Sequence, residues 1–176
     1  MKGLGIYFTG LLLLLAGGNS AFAQAIEPAT AEGDIYAVSI PVFSASQLAP
    51  LNVGKFSPGA AGGELIISPQ NTVSVLGGVY RGGGMHNAAS FYVSGDIDAT
   101  YSVSLPSEPV VITNTENAKT MFVDNWISVP NEGMGTGQLL DGFQVVYVGA
   151  TLKVGTLADN PVGIYTGSYR VTFDFN

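Results

Sequence analysis

From Tyr101 to Leu105 the chain alternates strictly. Tyr101, Val103 and Leu105 share one face of an extended segment, and Ser102 and Ser104 share the other. The same two-residue period gathers Val146, Val148, Ala150, Leu152 and Val154, leaving Tyr147, Thr151 and Lys153 opposite. At the C-terminus it turns Tyr165, Tyr169, Val171, Phe173 and Phe175 inward, with Thr166, Ser168, Arg170, Thr172, Asp174 and Asn176 outward. No long 3.6-residue period competes, so the chain is committed to strands. Further strands are predicted at 36–42, 48–56, 64–67, 72–76, 90–93, 110–113, 121–129 and 138–145, making about ten in all, as one sandwich needs. Ser57 to Gly63, Asn131 to Gly135 and Asp159 to Pro161 read as loops, and Arg81 to Gly84 as a hairpin. Among 176 residues, 47% are apolar and 24 are glycine, while only 11% carry charge, which suits this reading and no helical bundle or coiled coil. The expectation is all-β: a single immunoglobulin-like antiparallel sandwich over residues 34–176, preceded by a flexible segment at 24–33.

Residues 1–23 read as a cleaved signal peptide. Lys2 supplies the positive start, Leu4 to Ala16 the apolar run, and Ala21-Phe22-Ala23 the small-x-small cleavage site. The run is broken by Gly17-Gly18-Asn19-Ser20 and falls short of the roughly 20 residues of a membrane span. The chain is therefore expected to be exported to the periplasm, cell surface or medium, with no membrane insertion after cleavage. Removing residues 1–23 takes away Lys2 and no acid, so the mature chain is one unit more negative than the −7 of the whole. That charge, with the basic residues scattered singly, excludes nucleic acid as a partner.

Enzymatic and cofactor chemistry find little to build on. With no Cys and one His there is no thiolate, and no cluster of metal-ligand spacing. His86 follows Arg81-Gly82-Gly83-Gly84-Met85, a run that lacks the Lys-Ser/Thr of a phosphate loop, and reads as a surface-loop residue. Asp96 and Asp98 flank a turn, but calcium takes about 6–8 oxygens, so they read as solvated. There is no Gly-x-Ser-x-Gly elbow. Trp126 is placed by alternation with Phe122 and Asp124, opposite Met121, Val123 and Ile127. It reads as core, with sugar stacking as the competing role. No catalytic residue, metal or cofactor is expected.

Several segments, in order and spacing, carry a family likeness. They are Gly54-Lys55-Phe56, Gly62-Gly63-Glu64-Leu65-Ile66-Ile67-Ser68-Pro69, Ala89-Ser90-Phe91-Tyr92-Val93-Ser94-Gly95 leading into the Tyr101 strand, Val148-Gly149-Ala150-Thr151-Leu152 and Gly163-Ile164-Tyr165-Thr166-Gly167. Over most of the mature length the pattern resembles a secreted bacterial β-sandwich family of unknown function, similar in layout to pilin and spore-coat-U-like fimbrial subunits. Unlike many pilin-like subunits, it has no Cys for a disulfide. The resemblance implies a non-enzymatic structural subunit, with copies of itself or other pilus subunits and a periplasmic chaperone as partners. Pilins of the chaperone-assembled type polymerise by β-strand donation. Tyr36, Val38, Ile40 and Val42 alternate as a donor strand must, though they equally suit the first strand of a closed sandwich. Tyr169, Val171, Phe173 and Phe175 resemble the final pilin strand, which borders the acceptor groove. The expectation from another class is a monomeric secreted adhesin or carbohydrate-binding module.

Overall fold

The computed structural model describes Asp34, residues 36–38 and residues 42–176. The expected signal peptide, the segment 24–33 and Ile40 lie outside the described residues. The chain divides into two units, Met1–Val38 and Ser39–Asn176. In the first, the described residues belong to no strand, and Tyr36 and Val38 are exposed.

The second unit is an antiparallel β-sandwich. Its strands are β1 (Ser44–Ala49), β2 (Phe56–Ile67), β3 (Val73–Arg81), β4 (Ala89–Ser94), β5 (Thr100–Ser104), β6 (Val110–Asn114), β7 (Thr120–Val129), β8 (Gly133–Gln138), β9 (Phe143–Val154), β10 (Tyr165–Thr166) and β11 (Thr172–Phe175). One sheet has the order β1-β4-β9-β7-β6-β10, with β2 pairing both β9 and β3; the other has only three strands, β11-β5-β8. The long strand β9 organises the large sheet. β7 runs along one of its edges from Tyr147 to Lys153, so the other edge must serve two partners in succession, β4 as far as Val148 and β2 from Ala150 onward. The sheet forks at Gly149, where a Cβ would stand 2.2 Å from the Ile67 carbonyl oxygen. No side chain fits at that junction.

The core is assembled from the inward rows of both sheets. Leu65, Ile67, Val93, Val146, Val148 and Leu152 come from the large sheet and Tyr101 and Val103 from the small one, all essentially without solvent contact. Tyr101 is held on three sides. Its ring lies 5.9 Å from that of Phe43 and 6.1 Å from that of Phe173, and its hydroxyl donates to Gln144 Oε1 at 2.6 Å. Burial pushes its phenol up to about 12. Phe173 packs in turn on Phe91 at 5.6 Å, so the small sheet covers β4 and the first half of β9.

Alternation located β5, β6, β7 and β9 correctly, and several other expectations need correction. The described part of 36–42 is not a strand; the first strand begins at Ser44, and 48–56 holds only the end of β1, a bridge at Asn52 and the start of β2. Ser57 to Gly63 is no loop but the bulged half of β2. Its glycines let β3 approach, since a Cβ on Gly59 or Gly63 would lie 2.3 or 2.2 Å from a β3 carbonyl oxygen. Gly133 to Gly135 likewise belong to a strand, β8. Residues 138–145 are not one strand; they span the end of β8, a single 3-10 turn at Leu140–Gly142 and the start of β9. β3 and β4 do not pair, so Arg81 to Gly84 connects strands rather than closing a hairpin. The C-terminal run is split, with β10 on β6 in one sheet and β11 on β5 in the other. The chain crosses between sheets over 167–171, because period-two burial records which side faces the core, not which sheet supplies the hydrogen bonds.

Candidate functional site

Three strands cannot cover a sheet of eight. Where the small sheet stops, the inward row of β6, β7 and the second half of β9 faces a cavity of about 610 Å³. Its floor is Met121, Val123, Trp126 and Leu152 of the buried core, with the half-buried Val110 and Ile112 packed beside them. One wall is the connection 51–55 running into β2, and the other is the stretch 160–167 around β10. Neither wall is a sheet, except for the two residues by which β10 pairs with β6, Tyr165 with Asn114 and Thr166 with Thr113.

Trp126 reaches this floor through a change of register. β7 holds one residue more than β9 between the pairs Asp124–Thr151 and Ile127–Gly149, and Asn125 absorbs it with φ of +47°. Beyond the bulge every side chain changes face. Trp126 turns inward with Met121 and Val123, at 8% exposure, while Ile127 turns out. The expected pairing of Trp126 with Phe122 and Asp124 is thereby corrected. Trp126 is buried, as its core reading expects, and its ring lies against that of Tyr169, centroids 4.5 Å apart. The Trp126 indole N–H and the Tyr169 hydroxyl are both buried without a hydrogen-bond partner. Burial pushes the Tyr169 phenol up to about 12, and nearby Gln47 softens the rise.

Of the four C-terminal residues, Tyr169 alone lines the cavity. Val171 and Phe173 pack into the core, and Phe175 is exposed with its ring 5.8 Å from that of Phe43. The last strand is therefore the edge of the small sheet and does not border the groove. Of the donor residues, Tyr36, Val38 and Val42 are exposed, at 90, 67 and 83%, and in no strand.

The end of the cavity at Gly54 and Lys55 carries a feature that scattered positions in sequence concealed. Phe56 pairs with Arg81, the Gly82 amide donates to the Lys55 carbonyl at 2.7 Å, and Arg81 Nη2 is 3.3 Å from His86 Nδ1. Arg81 and the one histidine thus meet, while Lys55, one position along the ladder, projects from the opposite face over Gly82 and Gly84. His86 is half-buried and partnered by Arg81, not a solitary loop residue. The β2–β3 register is the signal that joins them, and it cannot be read before the bulge in β2 is known.

Asp96 and Asp98 sit in an exposed turn after β4, and among the described residues no group of three potential metal ligands gathers there or elsewhere. A family model described as a domain of unknown function (DUF4402) matches residues 43–175. No curated protein and no solved structure matches the chain.

Proposed function

The chain belongs to the DUF4402 family, and on that footing we propose that it is an exported, non-enzymatic structural subunit of the cell surface, resembling a fimbrial subunit, that polymerises by β-strand donation. The observation that carries this reading is the cavity floored by core residues, an inward sheet face that the chain's own small sheet leaves uncovered. Its complement is present in the same sequence. Tyr36, Val38, Ile40 and Val42 form an apolar row that spans about 20 Å when extended. Burying four such side chains at about 2 kcal/mol each contributes about 8 kcal/mol before association and ordering costs, to which the strand's backbone hydrogen bonds add. A donor strand also brings backbone carbonyls, the acceptors that the Trp126 N–H and Tyr169 hydroxyl lack. A periplasmic chaperone that shields the groove before assembly belongs to this reading.

The test uses the exported chain, purified and followed by size-exclusion chromatography and electron microscopy. Wild type forms oligomers or filaments. The variant Val38→Asp/Val42→Asp alters side chains that are already exposed, so it melts like wild type but stays monomeric. A wild type that remains monomeric at every concentration, or a variant that assembles equally well, refutes the proposal. Binding of a glycan panel by a monomeric wild type would transfer the function to the adhesin class.

A further inference from the structure

We infer that the outward face of the large sheet, where β2 and β4 part, binds a neutral oligosaccharide, with the Tyr147 ring as its stacking platform and the amides of Asn71 and Asn87 reading its hydroxyls. The inference is independent of strand donation, since it uses the face opposite the groove.

The site follows from the fork. Tyr147 and the Cβ position of Gly149 point away from the core, in register with Val129 and Ile127 of β7. A Cβ on Gly149 would stand 2.8 Å from the Ser68 carbonyl carbon and 2.9 Å from the Pro69 nitrogen, so the chain leaving β2 crosses the outer face there. The turn that follows stands as a wall beside Tyr147, facing residues 87–90, and the two enclose a second cavity of about 410 Å³. Its apolar surface comes from Tyr147, Val129 and Pro69, and its polar groups from Gln70, Asn71, Asn87 and Ser90. Tyr147 is 45% exposed. Among the described residues no charged side chain lines this cavity.

The two amides are fixed in orientation, and that sets the chemistry of the ligand. Asn71 stands at φ of +63° in a turn closed by its own N–H on the Ser68 carbonyl at 3.0 Å, and its Oδ1 accepts from the Ala88 N–H at 3.0 Å. Asn87 Nδ2 donates to the Pro50 carbonyl. What remains is one donor, Asn71 Nδ2, and one acceptor, Asn87 Oδ1, neither with a partner among the described residues. A sugar hydroxyl both donates and accepts, so neighbouring hydroxyls satisfy the pair while the C–H face of the ring covers the tyrosine. An ionic ligand finds no counter-charge there, and a purely apolar one would strand the two amides. From Tyr147 the outward row of β9 runs through Val145 to Phe143, about 13 Å along the strand. Phe143 stacks on Tyr92 at 5.7 Å, and Ser44, Ser46 and Ser94 border the two rings across β4 and β1. This uncharged strip gives a chain of sugars more to contact than a single ring.

The experiment titrates the full exported chain, by calorimetry, with neutral oligosaccharides of several lengths and linkages and with sialylated and sulfated counterparts. Wild type binds a neutral member. Tyr147→Ala weakens that binding at least about tenfold, and Tyr147→Phe leaves it close to wild type, because the ring and not the hydroxyl makes the contact. Asn71→Asp keeps the oxygen that accepts from Ala88 and the tolerance of positive φ, so it folds, but it exchanges the outward donor for an acceptor and weakens binding as much. It supplies the test should Tyr147→Ala fail to fold. Phe143→Ser weakens a longer chain more than a disaccharide. Val38→Asp/Val42→Asp binds like wild type, since the groove is not involved. Binding of no neutral member, preference for charged ones, or binding that survives both Tyr147→Ala and Asn71→Asp refutes the site. If Tyr147→Ala instead lowers the oligomeric state of a wild type that binds no sugar, the face is a contact between copies and the proposal falls. A wild type that does not assemble yet binds through Tyr147 refutes strand donation and upholds the sugar site.

Discussion

Gly137 in β8 lies directly beneath the Tyr101 ring, and its replacement by alanine gives a sharp test of how the small sheet closes the core. A Cβ at this position would stand 2.2–2.4 Å from three ring carbons of Tyr101. The backbone there is not in the left-handed region, so alanine meets no conformational strain and the penalty is wholly steric. The ring cannot retreat freely, being fully buried between Phe43 and Phe173 with its hydroxyl bonded to Gln144. Overpacking of this kind costs about 1–3 kcal/mol. Loss of the hydroxyl contact adds about 1 kcal/mol, and the reduced freedom of the unfolded chain returns about 0.4–1 kcal/mol. The net expectation is a loss of about 2 kcal/mol, seen as a fall in Tm of roughly 6–8 °C by calorimetry. Gly137→Ala in a Tyr101→Val background meets no ring and is expected to be neutral or slightly stabilising, giving a coupling of at least about 1.5 kcal/mol between the two sites. A single variant that melts like wild type, or costs that simply add in the double variant, would refute the packing argument.

The bulge makes a second prediction: Asn125→Val places a β-branched residue at positive φ and lowers stability by about 1–2 kcal/mol, whereas Asn125→Gly stays within about 0.5 kcal/mol, as urea midpoints will show. Gly149→Ala drives a methyl group into the Ile67 carbonyl and is expected to abolish folding at the fork, read by loss of the far-ultraviolet β signal. Alkaline pH destabilises the protein. Tyr101 and Tyr169 keep their protons longer folded than unfolded, so their contribution is intact below pH 10 and is lost as pH rises toward about 12. Lys153, held above its usual value first by its hydrogen bond to Glu64, acts in the same direction above 10.5. Urea titrations at pH 8 to 12 follow the decline, and Tyr101→Phe should flatten it.

Strand identity was legible wherever one face of a strand meets the core and the other meets water. Tyr101-Ser102-Val103 and Val146-Tyr147-Val148 are such cases, and their burial follows the pattern residue by residue. Glycine was the main source of error, because it serves turns and close backbone approach alike. In Gly59, Gly63 and Gly137 the second use prevails, and only the neighbouring strand or ring reveals it. Trp126 was legible as core but assigned to the wrong face, since one extra residue at Asn125 inverts every position after it. The groove and the Arg81–His86 contact were not legible at all. They depend on where the chain changes sheets at 167–171 and on a register that joins residue 56 to residue 81.

The fork at Gly149 bears on the order in which the molecule is made. β2 and β4 are synthesised well before the strand that unites them, β9, which lies some 80 and 50 residues farther along the chain. Until residues 143–154 emerge, two hairpin-like fragments wait with hydrogen-bonding edges open to any passing polypeptide, their own late partner included. A chain built on such a delay spends much of its synthesis with those edges unpaired.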